Sequence, residues 1–398
     1  MKRLITANAV SSLGDGMQVA AFPLIGASLT GDPRTIAALA AAGSVPALTG
    51  ALPAGGLVEG LSRARLMVIL DLARALQLGT LVALIALHLL ALWQLFVLAL
   101  LMGAGQMLSE ISSSALVPEI APARQLPRVN GLLSTTTELG GGLAGPAVGG
   151  FLYAESAGLP FGVNAVSFLV AGIILSSLAR HERQARAQSS GARPRSRLGL
   201  GLRAGAGWVA RDRQVRSLAL MVAAWSLFGW MPEAVLVLYT RQDLHGSSVT
   251  FGGLLAATSV GAVLGGALSG RLIARMGVAR TLAPALLIYA VLMAPPAFLT
   301  SAYLVAVVFF LQGIPVLIFT VAAATVRQTL VPAGLMARVS SVFYLTGAGM
   351  APLGLLAGGL IGSYLGLRMA FLAGAAGLSI SVILLSRPLR EIDGRMAG

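Results

Sequence analysis

Apolar runs long enough to cross a lipid bilayer, parted by short charged turns, follow one another through nearly all 398 residues of this chain. A helix needs about 20 predominantly apolar residues to traverse the hydrocarbon core. Only 11% of residues are charged and 57% are hydrophobic, whereas a soluble domain carries about 25% charged residues. The pattern excludes a soluble globule and predicts an all-α integral membrane protein. Between turn and charge signals, spans are expected near 5–31, 34–58, 66–90, 92–115, 128–154 and 158–180. A second set falls near 215–240, 249–274, 280–300, 302–326, 337–363 and 366–386, making twelve in all.

The formal net charge of +14 is distributed along the chain in a way that explains it. Basic residues gather at alternate inter-span loops, including Lys2 and Arg3, Arg63 and Arg65, Arg124 and Arg128, and Arg271, Arg275 and Arg280. The largest cluster runs from Arg180 to Arg216, while the other loops hold little beyond Arg34, Arg241 and Arg368. This is the positive-inside bias. It predicts both termini in the cytoplasm of an inner or plasma membrane, with anionic lipids at the basic face and no nucleic-acid partner. Cysteine is absent, and His88, His181 and His245 are scattered, so no metal site, thiol chemistry or cofactor is expected. No phosphate-binding G-x-x-x-x-G-K-S/T loop and no nucleophile–base set occurs either, which argues against an enzyme.

The two sets of spans resemble each other at a nearly constant offset. Ser12-Leu13 recurs as Ser226-Leu227, and Leu116-Val117-Pro118 as Leu330-Val331-Pro332, both 214 residues later. Gly55-Gly56 recurs as Gly265-Gly266, and Arg128-Val129 as Arg338-Val339, both 210 later. Matches at corresponding places predict two pseudo-symmetric six-helix halves, 1–180 and 215–386. Between them lies a basic linker, 181–214, with a possible interfacial helix, and a cytoplasmic tail, 387–398, follows. Parallel repeats of this kind place a substrate site near the midplane. A single chain with two halves needs no partner to form a pathway, so a functional monomer is expected.

Residues 141–150 read GGLAGPAVGG, and Gly141, Gly145 and Gly149 recur every four residues on one helix face. Small residues so placed let a neighbouring backbone approach closely, and Pro146 removes a helical N–H and favours a bend. The loop after span two reads Gly55-Gly56-Leu57-Val58-Glu59-Gly60-Leu61-Ser62-Arg63, and Gly266 to Arg271 forms a degenerate second copy without the acid. On these motifs the chain resembles the major facilitator superfamily, and within it the drug and siderophore exporter branch. Gly141-x-x-x-Gly145-Pro146-x-x-Gly149-Gly150 matches that branch's G-x-x-x-G-P-x-x-G-G signature at every fixed position. The resemblance implies a proton-coupled antiporter that expels its substrate. Gly55, Leu57, Glu59, Arg63, Gly266, Arg271 and Arg338 would form a gating motif, with Glu59 meeting the helix that begins near Arg338. Ordinary topogenic charge is the other reading of Glu59. One departure from the superfamily is that Phe96 to Leu116 holds no basic residue, which leaves Arg74 as the basic residue deepest within a span.

Acids inside the spans are costly and therefore candidates for function. Glu138 lies about half a bilayer into span five, by about 1.5 Å of rise per residue. It is either a proton carrier or a carboxyl held by Thr135 to Thr137 for packing. Asp15 either lines the cavity or caps a bent helix. Asp71 and Arg74, three apart, either neutralise each other or exchange partners during transport. Gln18, Glu110, Trp230 and Glu233 are further cavity candidates, with Glu110 toward the cytoplasmic entrance and Glu233 toward the outer mouth. Trp225, Phe228, Trp230 and Met231 would form an aromatic wall or pack against lipid and neighbouring helices. The expected activity is export of an amphipathic small molecule in exchange for protons. Import of a small metabolite on the same fold, or a non-transporting sensor, are the alternatives.

Overall fold

In the computed structural model the described residues are 2–59, 62–120, 126–188, 198–332 and 335–388, and among them the only regular structure is helical. In chain order the helices are α1 (Lys2–Leu29), α2 (Pro33–Glu59), α3 (Arg63–Ala86), α4 (Leu92–Ile120), α5 (Leu126–Thr137), α6 (Gly145–Glu155) and α7 (Leu159–Gln188). They continue with α8 (Leu198–Arg211), α9 (Arg213–Leu238), α10 (Ser248–Met276), α11 (Val278–Leu292), α12 (Ala302–Leu330), α13 (Met336–Tyr364) and α14 (Leu367–Ser386). Nine segments among the described residues are long and apolar enough to cross a membrane. Large apolar side chains such as Leu76, Ile173 and Leu384 stand exposed, as a lipid-facing surface requires.

Contacts divide the chain into two units. Unit 1 comprises residues 1–29, 42–196 and 247–256, and unit 2 comprises 30–41, 197–246 and 257–398. The first turns of α2 and α10 are thus grouped apart from the rest of those helices. In unit 1, α1 packs against α5, α6 and α7, while α3 packs against α4 and α7. Leu4, Ala7, Met67, Leu116, Val129 and Leu175 form an apolar core there. In unit 2, α9 packs against α13 and α14, and α11 against α12 and α14. Within the stretch 181–214, α8 docks on α13. A Cβ on Gly205 would stand 2.6 Å from the Arg338 carbonyl, and Val209 joins the core of unit 2.

Span five is one continuous rod of three parts, because Glu138 to Ala144 between α5 and α6 is π-helical. The wider turn takes up the glycine run just ahead of Pro146, whose ring removes one N–H from the ladder at the junction with α6. Lipid offers no hydrophobic drive for helices to associate, so small residues and backbone approach supply the packing. A Cβ on Gly145 would stand 2.5 Å from the Gly16 Cα of α1, and one on Gly149 2.5 Å from the Met17 carbonyl. Gly358 on α13 faces the Met231 carbonyl of α9 in the same manner, and Met231 lies 214 residues after Met17. In both contacts a glycine meets a methionine carbonyl.

Polar caps and turns set the helix ends. Asp212 caps α9, its carboxylate accepting from the Gln214 and Val215 amides at 3.1 and 3.0 Å. Asp32 does the same before α2, accepting from the Arg34 amide at 3.1 Å and the Thr35 hydroxyl at 2.9 Å. Slight desolvation opposes its charge, but these donors and the Arg34 guanidinium hold its carboxyl below the usual range. His88 and His245 both adopt positive φ in turns at helix ends.

Candidate functional site

A cavity of about 680 Å³ opens within unit 1, lined from α1, α3, α4, α5, α7 and the π-helical segment. It falls in the range of about 300–1,000 Å³ typical of small-molecule sites. Its walls bring together Asp15, Asp71, Arg74, Glu110 and Glu138, residues drawn from four separate segments. With four carboxylates against one guanidinium, the lining favours a cation.

Each charged group is set differently. Asp71 and Arg74 are both buried, at 4% and 5% exposure, on the face of α3 turned to the core. The expected ion pair between them is not what holds Arg74. Its Nη2 instead donates to Gln106 Oε1 on α4 at 2.6 Å, and Gln106 Nε2 donates to Glu110 Oε1 at 2.7 Å. The guanidinium also lies over the Phe168 ring of α7, 5.1 Å from its centroid. A Cβ on Gly105 would stand 3.0 Å from Arg74 Nε, so glycine at that position makes room for the side chain.

Glu138 opens the π-helical segment, is exposed, and lines the cavity with Gly141 and Gly142. The adjacent threonines are engaged elsewhere. Thr136 and Thr137 accept from Asn8 Nδ2 at 2.8 and 3.2 Å, and Thr135 donates to the Gly131 carbonyl at 2.8 Å. Asp15 is half-buried on α1, one residue from the Gly14 contact with Asn164 and Ser167 of α7. Gln18 stands behind the cavity wall, where it receives Asn164 Nδ2 at 3.0 Å and donates to Met102 Sδ at 3.0 Å.

The exporter-motif glycines turn away from this cavity except Gly141, which lines it. Gly145, Pro146, Gly149 and Gly150 are buried. Gly145 and Gly149 face α1, whereas Gly150 and Pro146 meet Ser248 and Gly252 in the first turns of α10. The side chains of Gly55, Leu57 and Glu59 lie outside the described residues. Of the other gating candidates, Arg63 follows the Ser62 cap of α3, Gly266 packs against Leu317, and Arg271 and Arg338 are exposed on α10 and α13.

The expected aromatic wall does not form as one surface. Trp225 stacks at a tilt on Phe319, 5.9 Å between centroids, inside the core of unit 2. Phe228 packs on Gly377, Met231 is buried, and Trp230 is exposed. Glu233 lies in a separate, smaller cavity of unit 2. Among the described residues no three His, Asp or Glu side chains converge as a metal site would require.

Asn8, Gln106 and Asn164 were not anticipated from the sequence. Each is an amide within an apolar span, and Gln106 stands one helical turn before Glu110. That spacing was the available signal.

Comparison with known proteins agrees with this architecture. The sequence matches the transmembrane secretion effector family over residues 1–396. It is 28% identical to the multidrug efflux pump Tap of Mycolicibacterium fortuitum over 412 residues, covering 98% of this chain and 96% of that protein. Among solved structures, a bacterial homologue of the iron transporter ferroportin in an inward-facing state superposes with a TM-score of 0.73. It is 18% identical, with 97% of this chain and 98% of that one covered. The nucleoside transporter NupG superposes with a TM-score of 0.72 at 13% identity, over 97% of this chain and 98% of that one. At such identities these structures show a shared fold.

Proposed function

We propose that this chain, which belongs to the transmembrane secretion effector family of the major facilitator superfamily, exports an amphipathic, preferentially cationic small molecule in exchange for protons. In this reading its helices make twelve crossings in two halves, with both termini in the cytoplasm. The cavity opens alternately to the two sides of the membrane. The observation that carries the proposal is the cavity of about 680 Å³, where Asp15, Asp71, Glu110 and Glu138 face a space large enough for a drug-sized ligand. Kinship with a multidrug efflux pump over nearly the whole chain supports the direction of transport. The Gly145–Pro146–Gly149–Gly150 motif supports antiport.

Proton exchange assigns the carboxylates a double task. A carboxylate that attracts the cationic substrate is neutralised by a proton when the substrate leaves, so the same lining serves both passengers in turn. Glu138 is the best placed for this, because it faces the cavity and the neighbouring threonine hydroxyls are engaged elsewhere. Arg74, braced by Gln106, keeps the empty lining from carrying its full negative charge.

The test is gradient-driven uptake in proteoliposomes of purified protein, with a fluorescent lipophilic cation outside and an imposed proton gradient, acid inside. Wild type drives accumulation that an uncoupler collapses, Glu138→Gln loses coupling, and Asp15→Asn weakens substrate binding. Full pH-dependent coupling in Glu138→Gln refutes its assignment as proton carrier, and gradient-independent uptake refutes antiport itself.

A further inference from the structure

The cavity around Glu233 lies in unit 2 and has no part in the proposed transport chemistry. Its volume is about 70 Å³, too small for a drug-sized molecule but ample for an ion with a water or for a small head group. Its walls combine Glu233 of α9, Thr258 of α10, Tyr289 of α11 and Gln312 of α12 with the rings of Phe309 and Phe371.

Two features suit this lining to a cation. The first is its oxygen supply. Glu233 is exposed on α9, and its charge acts on the Tyr289 hydroxyl across the cavity. Gln312 is buried, at 7% exposure, and its Nε2 is committed to the Leu292 carbonyl at 2.7 Å. The amide is thereby fixed with its carbonyl oxygen as the remaining acceptor, and the Thr258 and Tyr289 hydroxyls are further oxygen ligands, the latter already accepting from Trp225 Nε1. Hard cations prefer such oxygen sets. The second feature is charge: one carboxylate balances a single positive charge, whereas divalent ions generally draw on more. The aromatic rings would add a cation–π component.

The local backbone also holds Glu233 in place. Pro232 precedes it within α9 and cannot donate to the Phe228 carbonyl one turn back. That carbonyl faces Gly374 of α14, where a Cβ would stand 2.7 Å away. Trp225 Nε1 and the Tyr289 hydroxyl come together beside Gly229, 3.5 and 3.6 Å from where its Cβ would stand. This sets the phenol at the wall from which Glu233 projects.

We propose that Glu233, Thr258, Tyr289 and Gln312 form a binding site for one monovalent cation, either an alkali-metal ion or an alkylammonium head group. The site is distinct from the cavity in unit 1. It rests on equilibrium binding and not on the export reading, since it can be occupied whether or not the protein moves a substrate.

The experiment uses the full purified chain in lipid nanodiscs, with sucrose in place of background salt. Binding of radiolabelled sodium and of radiolabelled methylammonium is measured by scintillation proximity in wild type, Glu233→Gln and Thr258→Val. The expected result is saturable binding of one cation per chain. Affinity should be at least about tenfold weaker in Glu233→Gln and several-fold weaker in the near-isosteric Thr258→Val. Saturable sodium binding identifies an alkali-ion site, and methylammonium binding without sodium binding identifies a head-group site. Either outcome supports the proposal. Saturable binding of neither cation in wild type overturns it, as does unchanged affinity in Glu233→Gln. If Glu233→Gln does not fold, Thr258→Val decides, and unchanged binding there overturns the proposal.

Discussion

Arg74 on α3 donates to Gln106 on α4 at 2.6 Å, and the same Gln106 amide passes on to Glu110 at 2.7 Å. An arginine inside an apolar helix is thereby neutralised through an amide relay rather than by direct contact with an acid. A relay of this kind keeps the guanidinium in one place, from which its charge acts on Asp15 and Asp71 without a direct contact. Replacing Gln106 by Leu would strand a buried guanidinium. The expected cost is about 1–3 kcal/mol of stability, seen as a lowered thermal midpoint in detergent. Arg74→Lys keeps the charge but loses the planar fork, and transport is expected to fall about tenfold, the equivalent of ~1.4 kcal/mol. Wild-type flux in Arg74→Lys would show that charge alone suffices.

The glycines of α6 should tolerate no side chain. Gly149→Ala places a Cβ 2.5 Å from the Met17 carbonyl, which is backbone and cannot swing aside. Overpacking of this kind costs about 1–3 kcal/mol. Gly131→Ala on α5 meets nothing within 4 Å and serves as the matched control. Thermal midpoints of the two variants should differ by several degrees. Equal midpoints would show that α1 and α6 can separate at no cost.

Tyr239 is fully buried at the end of α9, where its ring packs on Phe371 at 4.8 Å and its hydroxyl donates to the Pro296 carbonyl at 2.6 Å. Tyr239→Phe keeps the ring contact and removes the donor, leaving that carbonyl without it. A loss of about 1 kcal/mol is expected, measurable by unfolding in mixed micelles. Tyr239→Ala should cost about 3–5 kcal/mol, because a large cavity opens as well.

Arg368 and Asp243 form a half-exposed ion pair at 3.3 Å, and Arg368 Nη1 also donates to the Ala297 carbonyl at 3.3 Å. A pair this exposed contributes about 0–1 kcal/mol. Asp243→Asn is expected to change stability by less than that, and salt should erase the difference. A larger, salt-insensitive effect would point to the carbonyl contact as the part that matters.

The membrane class and the principal charged residues of the cavity were legible in the sequence, for plain reasons. Apolar runs and loop charges are governed by the bilayer itself, and an acid placed within such a run is rare enough to stand out. The partners of those residues were not legible. Asp71 and Arg74 sit three apart, so local spacing pointed to each other, yet Arg74 turned to an amide on another helix. Spacing reports which residues share a face and is silent about which helix covers that face. The tryptophans of α9 misled in the same way: Trp225 and Trp230 are near in sequence but point to different surroundings. Glu138 stands at the edge of the glycine run. The π-helical turn it begins was not foreseen, because glycine and proline signal a bend without saying how the backbone will make it.

That turn has a consequence for the register of the whole rod. Each residue of an ordinary helix advances the azimuth by about 100°, and a π-helical turn takes in an extra residue before the circle closes. Residues upstream and downstream of Glu138–Ala144 are therefore indexed to different faces, which is how one rod shows Glu138 to water and Gly149 to a neighbouring backbone. Removing one residue from this stretch would let the helix close normally and rotate everything after it. The carboxylate would keep its place while the glycines swung out of theirs. The stretch thus works as a phase shifter, joining two differently oriented surfaces without a loop that would have to be buried in lipid.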